Sequence, residues 1–285
     1  MVVDIPHLGT YTVKAFGLAV PIQPFGILVG TGLVVGYLLG RRRADKMGLD
    51  PDICADGMVW TVVVGFILAH LVSVIFYFPE RVAQNPLVLL AFWSGISSFG
   101  GFIGGALGAF LYFRKQKVPL LYYAEAIIFG LMPGWIFGRM GCTIVKDHPG
   151  LPTDFFLGVL YPGGVVRHDL GFYELIYTVF LTAVIYAVKN VRPFWGFHCG
   201  LMLILYAPVR FGFDFLRTAD KKYLGLTPGQ YLAIALFLGG FALWGYGMKL
   251  KKKGDSPATF KPVERKRDQA PEPKADAKAK NKKKK

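Results

Sequence analysis

Charged residues are scarce in this chain and cysteine is nearly absent. Only 18% of the 285 residues are Asp, Glu, Lys or Arg, whereas 53% are hydrophobic. Soluble domains carry about 25% charged residues, so this composition excludes an ordinary water-soluble fold. The three cysteines form no Cys-x-x-Cys pair and are odd in number: Cys54, Cys142 and Cys199. This pattern argues against a disulfide framework, a metal knuckle and redox chemistry.

The hydrophobic residues lie in blocks of membrane-spanning length. A helix needs about 20 largely apolar residues to cross a bilayer. Seven segments meet this requirement: 23–40, 56–78, 87–113, 120–140, 170–188, 195–215 and 228–248. The alternating ten-residue segments typical of outer-membrane barrels are missing. We therefore predict an all-α, polytopic membrane protein with seven transmembrane helices.

Basic residues mark every second connection between the predicted spans. They comprise Arg41, Arg42, Arg43 and Lys46; Arg114, Lys115 and Lys117; Lys189 and Arg192; and Lys249 with Lys251, Lys252 and Lys253. Short loops rich in Lys and Arg stay in the cytoplasm, so the N-terminus is predicted outside and the C-terminus inside. Lys221 and Lys222 weaken this contrast on the outer side. The opening residues lack a charged region and a cleavage site, so the first span is expected to serve as its own insertion signal.

The end of the chain differs in composition from the rest. Residues 251–285 are rich in Lys, Ala, Pro, Glu and Asp and hold much of the formal net charge of +15. Such a segment cannot bury enough apolar surface to fold. We predict a transmembrane domain over residues 1–250 and a disordered basic cytoplasmic tail over 251–285. Adhesion to anionic lipid headgroups or ribosomal RNA is one interpretation of the tail, and a solubilising extension is the favoured one.

Two arginines adjoin these apolar segments. Arg139 follows Gly138, and Arg210 follows Val209. An arginine at membrane depth normally pairs with a partner or faces a polar cavity. Together the two predict a buried site for an anionic group, although they could instead close helix ends or pair with Glu174 and Asp214. Prolines precede both, Pro133 and Pro208, and would bend the helices around such a cavity.

The third predicted span is rich in glycine. Its glycines are Gly95, Gly100, Gly101, Gly104, Gly105 and Gly108. Small residues at this spacing let helices approach closely, which is the favoured explanation. Alternatively, exposed N–H groups of Gly100 and Gly101 could cradle a phosphate near Ser97 and Ser98.

Several of these segments together resemble one family, the prolipoprotein diacylglyceryl transferases, over about 16–248. The segment from Ser98 to Gly104 is similar to the family's Ser-Phe-His-Gly-Gly-Leu-Ile-Gly. The segment from Gly138 through Asp147 to Gly150 resembles its Gly-Arg-x-x-Asn-Phe-x-Asn-x-Glu-x-x-Gly signature. Further similar positions are Pro24, Phe25 and Gly26; Glu125 and Pro133; His168, Tyr173 and Glu174; Tyr206 to Arg217; and Gly229 and Gln230.

The chain also departs from this family at named positions. Phe99 stands where the family has a histidine often treated as a catalytic base. Cys142 and Val145 replace two signature asparagines, and Asp147 replaces a glutamate. His70 and Phe25 stand in place of an arginine and a tyrosine.

The resemblance implies a bacterial inner-membrane enzyme that moves the diacylglyceryl group of phosphatidylglycerol onto the lipobox cysteine of prolipoprotein signal peptides. The family reaction needs neither metal nor organic cofactor, and no nucleic acid partner is expected. Arg139 and Arg210 are predicted to bind the phosphate, because guanidinium binds phosphate oxygens through a planar fork. Other predicted substrate-binding residues are Tyr206, Gly100, Gly101, Asp214, Glu174 and His168. Asp214, one turn after Arg210, is expected mainly to support that arginine.

Because Phe99 replaces the family's histidine, the reaction would need another residue to accept the thiol proton. His148, beside Asp147 and close to Arg139, has an intrinsic pKa near working pH and could accept the thiol proton. This segment could equally be an ordinary polar loop turned by Pro149. His168 is a second candidate, whereas His70 is expected to be a packed residue.

The composition and helix pattern are also compatible with three other functions. A retinal photoreceptor is disfavoured because residues 228–248 contain no lysine for a Schiff base. An anion or lipid transporter would also use arginines and kinked helices, but the halves show no repeat. A non-catalytic, lipid-binding relative is favoured by Phe99, Cys142 and Val145 and opposed by Arg139, Asp147 and Arg210.

Overall fold

A computed structural model describes residues 2–15, 18–91, 95, 97–218 and 222–262, with only the backbone given at 13–15, 18–22, 77, 98 and 99. The described chain is mostly helical. Its helices are α1 (Pro24–Lys46), α2 (Pro51–Val72), α3 (Pro79–Gln84), α4 (Ser98–Lys115), α5 (Leu120–Val145), α6 (Leu170–Ala187), α7 (Phe197–Phe213) and α8 (Pro228–Lys252).

Six of the helical segments are long and apolar enough to cross a membrane. They are Pro24–Lys46, Pro51–Phe76, Leu120–Val145, Leu170–Ala187, Phe197–Leu216 and Pro228–Lys252. Each overlaps one predicted span, so the prediction of a polytopic helical membrane protein is confirmed. These helices expose many large apolar side chains, such as Phe180 and Leu238, 58% and 62% exposed, as expected for surfaces that face lipid.

The third predicted span, 87–113, does not form one continuous helix. A short 3₁₀ helix covers Pro86–Leu90, and α4 begins only at Ser98. The glycines of α4 pack against α2. A Cβ atom on Gly100, Gly104 or Gly108 would lie 2.5, 2.6 or 2.9 Å from backbone oxygens of α2. These distances are too short for a side chain, so close helix packing accounts for these glycines.

Two small antiparallel sheets, absent from the all-α prediction, accompany the helices. The first joins β1 (Tyr11–Ala15) to β2 (Leu18–Ile22). The second has the order β3-β5-β4, with β3 (Pro149–Pro152), β4 (Val159–Leu160) and β5 (Val166–Asp169). It lies in the α5–α6 connection, and Asp169 caps α6 by accepting a hydrogen bond of 2.8 Å from the Phe172 N–H. The sheet therefore determines where the chain after Arg139 returns to the bundle.

The two ends of the bundle differ in charge. Arg43 of α1 donates to the carbonyl of Lys189 after α6, which brings two of the basic connections together at one end. The last described residues lie at this end too, since the indole of Trp195 donates a hydrogen bond of 3.1 Å to Asp255. Phe260 packs on the Trp195 ring with a centroid distance of 5.5 Å. The packed chain thus extends past the predicted boundary at residue 250, while 263–285 lie outside the described residues.

Candidate active site

Three helices bring Arg139, Glu174 and Arg210 together. Arg139 on α5 forms an ion pair with Glu174 on α6, and the Arg210 Nε on α7 lies 3.7 Å from the other carboxylate oxygen. The side chains are 16%, 3% and 17% exposed, respectively. An isolated charge at such depth would be costly, and pairing removes most of that cost. The two arginines singled out by the sequence therefore share one acid.

Aromatic side chains enclose this cluster on one side. The Tyr206 hydroxyl donates a hydrogen bond of 3.3 Å to Glu174. The Tyr206 ring meets Trp135 edge to face at 4.7 Å, and the Arg139 guanidinium lies 5.8 Å from the Trp135 ring. These rings exclude water from one face of the arginines, which strengthens their electrostatic interactions.

Asp214 holds Arg210 from the opposite side and is itself held by α8. It is 2% exposed, pairs with Arg210, and accepts a hydrogen bond of 2.5 Å from the Thr227 hydroxyl. Thr227 also caps α8 in a reciprocal capping box with Gln230. Thr227 is not among the site residues predicted from the sequence, although Thr-Pro-Gly-Gln before an apolar run is a recognisable helix start.

The cluster has balanced charge and spare donors. Arg139 and Arg210 face Glu174 and Asp214, two cations against two anions. The Arg139 Nε is buried and has no hydrogen-bond partner within the described chain. An incoming phosphate could use that donor, but it would compete with Glu174 for both guanidinium groups.

A second polar cluster lies at the end of α5 and just beyond it, three to nine residues after Arg139. His148 Nδ1 contacts the Asp147 carboxylate, and the potential ligand atoms of Cys142, Asp147 and His148 lie within 4.8 Å of one another. Asp147 and Cys142 raise the pKa of His148 to about 9, against the effect of burial. The imidazole is therefore protonated at neutral pH.

The side chains of Cys142, Asp147 and His148 are of types that bind Zn²⁺. Closed structural zinc sites have four protein ligands, and the grouping found in the described chain has three. The geometry alone therefore does not complete such a site.

A cavity of about 190 Å³ opens beside the second cluster. It is lined by Asp147, His148, Pro149, Leu170, Arg217 and Thr218. Arg217 follows the 3₁₀ turn Asp214–Leu216 that continues α7. The cavity therefore lies where the α5–α6 loop meets the segment that follows the helix carrying Arg210.

His168 lies on β5, six residues before Glu174 in the chain. Its Nδ1 is 2.9 Å from the Tyr173 hydroxyl, and burial lowers the pKa of His168 from its ordinary value. His70 is fully buried and bonds the carbonyls of Val88 and Gly95 at 3.0 and 3.2 Å, as expected for a packed histidine.

Gly100 and Gly101 lie in the first turn of α4. Their N–H groups donate to the Ser97 Oγ at 3.4 Å and the Ser97 carbonyl at 2.9 Å. These donors are thus occupied in helix capping, which agrees with packing as their role. The side chain of Phe99, at the family's histidine position, lies outside the described residues.

Comparison with known proteins finds the same family by a family model and by individual relatives. The family model for prolipoprotein diacylglyceryl transferase matches residues 13–246. The phosphatidylglycerol–prolipoprotein diacylglyceryl transferase of Chromohalobacter salexigens is 34% identical over 79% of this chain and 90% of its own. That of Nitratidesulfovibrio vulgaris is 31% identical over 80% and 91%, and transferase 2 of Clostridium perfringens is 27% identical over 85% and 96%. The chain therefore belongs to the prolipoprotein diacylglyceryl transferase family.

Proposed function

We propose that this protein transfers the diacylglyceryl group of phosphatidylglycerol to the lipobox cysteine of prolipoproteins. The observation that carries the proposal is the convergence of Arg139 and Arg210 on Glu174 from three helices. Two guanidinium groups in a partly buried, aromatic-lined position suit a phosphodiester held at membrane depth. The relatives' names supply the donor lipid and the acceptor protein.

In the proposed reaction, the cysteine sulfur attacks the glyceryl carbon that carries the phosphate ester. A carbon–sulfur bond forms and the carbon–oxygen bond to phosphate breaks. Glycerol phosphate leaves with the electron pair, and the thiol proton goes to a base or to solvent. The protein must therefore hold the lipid in line, stabilise negative charge on the leaving phosphate and accept a proton.

Arg139 and Arg210 stabilise the departing phosphate. Glu174, held by Tyr206, keeps both guanidinium groups aligned while the site is free of lipid. When phosphate binds, it takes over the arginines from Glu174. Asp214 remains on Arg210 and, through Thr227, keeps that side chain aimed at the site.

His148, oriented by Asp147, is the proposed proton acceptor. With a pKa of about 9 it holds its proton at neutral pH. Its positive charge then favours ionisation of a nearby thiol. The fraction of His148 that is unprotonated, and so able to accept a proton, grows as the pH approaches 9. His168 is the alternative acceptor.

We place the protein in the bacterial inner membrane with seven spans, counting α4 as the seventh. Its 18 residues extend about 27 Å, close to the thickness of a bilayer core of about 30 Å. The N-terminus and the connection 142–169 face outward, where signal peptides arrive. The basic end and the tail face the cytoplasm, in accord with the loop charges.

The test is expression of the chain in cells depleted of their own transferase. Restored growth together with lipidated lipoproteins supports the proposal. Purified protein that binds phosphatidylglycerol but transfers nothing to any lipobox peptide would contradict it and identify a non-catalytic lipid-binding relative.

A further inference from the structure

Two arginines meet at the basic end of the bundle, far from the candidate active site. Arg43 lies in the last turn of α1, and Arg192 lies in the connection between α6 and α7. Arg43 donates a hydrogen bond of 2.5 Å to the Lys189 carbonyl, and its guanidinium is 4.2 Å from the Phe129 ring centroid. The Arg192 guanidinium is 5.2 Å from the Trp195 ring. Both cations are thus positioned by the fold.

Their hydrogen-bonding capacity is largely unused. The Nε of Arg43 and both the Nε and Nη2 of Arg192 are buried, and none has a hydrogen-bond partner among residues that the structure describes. Burying a cationic donor without an acceptor is costly. Burial accordingly lowers the pKa of Arg192 from its ordinary value, while Glu125 acts in the opposite direction. No acceptor among the described residues therefore serves these three donors.

The nearby acid does not balance the charge. Arg43 and Arg192 act on each other electrostatically, and Glu125 acts on both. However, the Glu125 carboxylate is already bonded to His198, accepting from its backbone N–H at 2.8 Å and contacting its Nδ1 at 2.7 Å. Two guanidinium groups thus interact electrostatically with a single carboxylate, whose hydrogen bonds go to His198.

We propose that Arg43 and Arg192 form an anion site that binds the phosphate of an anionic membrane lipid headgroup. Guanidinium groups bind phosphate oxygens by paired hydrogen bonds. The basic helix ends around them attract anionic lipids to this surface. Trp195 is buried within the bundle and holds Arg192 through the contact between its ring and the guanidinium.

This site is separate from the one that performs transfer. Glu125, beside the two arginines, and Arg139 are 14 positions apart on α5, about 21 Å along the helix axis. A lipid held at the basic end would join α1 to the α6–α7 connection and stabilise the bundle without entering the reaction. The proposal therefore does not depend on the transfer activity.

The test compares lipid binding by purified full-length variants in detergent. Arg192→Gln is the main variant, because Arg192 makes no hydrogen bond to any described residue, so its loss removes the charge and the contact with the Trp195 ring but breaks no hydrogen bond among them. Arg43→Gln is the second variant. Arg42→Gln, exposed on the same turn of α1, is the matched control. Retained lipid is counted by native mass spectrometry, and the melting temperature is followed with phosphatidic acid, phosphatidylcholine or inorganic phosphate.

We expect phosphatidic acid, but not phosphatidylcholine, to raise the melting temperature of the parent and of Arg42→Gln. Arg192→Gln and Arg43→Gln should bind phosphatidic acid about tenfold more weakly, as expected for loss of a charge-assisted contact. The transfer site is intact in all variants, so its contribution cancels in this comparison. Equal binding by Arg192→Gln and Arg42→Gln would overturn the proposal. An equal arginine-dependent shift with inorganic phosphate would assign the site to free phosphate and overturn the lipid assignment.

Discussion

Glu174 on α6 forms an ion pair with Arg139 on α5, and the same carboxylate reaches toward Arg210 on α7. The carboxylate therefore occupies the position between two cations that a phosphate would otherwise take. In the proposed reaction this makes Glu174 a competitor of the donor lipid as well as the group that aligns the arginines.

Replacing either arginine should abolish most activity. Arg139→Ala and Arg210→Ala are each expected to lower transfer about a hundredfold to a thousandfold, because charge stabilisation of the leaving phosphate is lost. Arg→Lys should recover little, since a point charge does not reproduce the planar fork. The assay is transfer of labelled diacylglyceryl to a lipobox peptide, with exposed Arg42→Ala as the control. Near-parental activity of a lysine variant would show that bidentate hydrogen bonds from the guanidinium to the phosphate are not needed.

Neutralising Glu174 should tighten phosphate binding. Glu174→Gln removes the competing charge but keeps an acceptor for Tyr206, so inhibition by the product glycerol phosphate should strengthen about tenfold, the effect of one lost charged contact. The inhibition constant is measured alongside Glu80→Gln, a change of an exposed acid on α3. Weaker inhibition in Glu174→Gln would show that the acid only positions the arginines.

The raised pKa of His148 predicts an alkaline pH profile. Because the pKa is raised to about 9, the unprotonated, proton-accepting fraction grows about tenfold per pH unit below that value and levels off above it. Transfer limited by this step should rise through pH 9 in the parent and lose that rise in His148→Gln. His168→Gln should keep it. A profile unchanged by His148→Gln would leave His168, or a thiol that ionises without a dedicated base, as the explanation.

Adding one methyl group at Gly229 on α8 should displace the Asp214 side chain. A Cβ atom at Gly229 would lie 2.2 Å from the Asp214 carboxylate, so Gly229→Ala must displace Asp214 from Thr227 and Arg210. We expect about 1–3 kcal/mol of destabilisation, typical of overpacking, and at least a tenfold loss of transfer, comparable with losing a charged contact to Arg210. Gly239→Ala on the same helix meets nothing within 4 Å, so it should leave transfer unchanged and should not destabilise the protein. Parental activity of Gly229→Ala would contradict the supporting role of Asp214.

The topology can be tested with two exposed positions. Cysteines placed at Pro162 and Lys253 should react differently with an impermeant reagent in intact cells, because the loop charges put Pro162 outside and Lys253 inside. Labelling at Lys253 but not at Pro162 would reverse the proposed orientation.

The long helices could be predicted because a bilayer imposes a minimum apolar length on each span. The start of the third span could not be predicted, because mean hydropathy does not show where an α-helix begins within an apolar segment. Leu87 to Leu90 are as apolar as a span but form a 3₁₀ helix, and His70 of α2 bonds the carbonyls of Val88 and Gly95. The small sheet at residues 149–169 was missed because its strands are only two to four residues long.

The membrane class, the family resemblance and the two arginines could be predicted from the amino-acid sequence alone, because apolar segments, motifs and a charge within an apolar segment are visible without a fold. Which groups those arginines contact depends on the tertiary structure. The contact from Thr227 to Asp214 and the pairing of Arg139 with Glu174 join separate helices. The tertiary structure likewise places Arg43 beside Arg192, although the two residues are far apart in the sequence. Such pairs depend on how helices pack around one another, and neither composition nor local spacing contains that information.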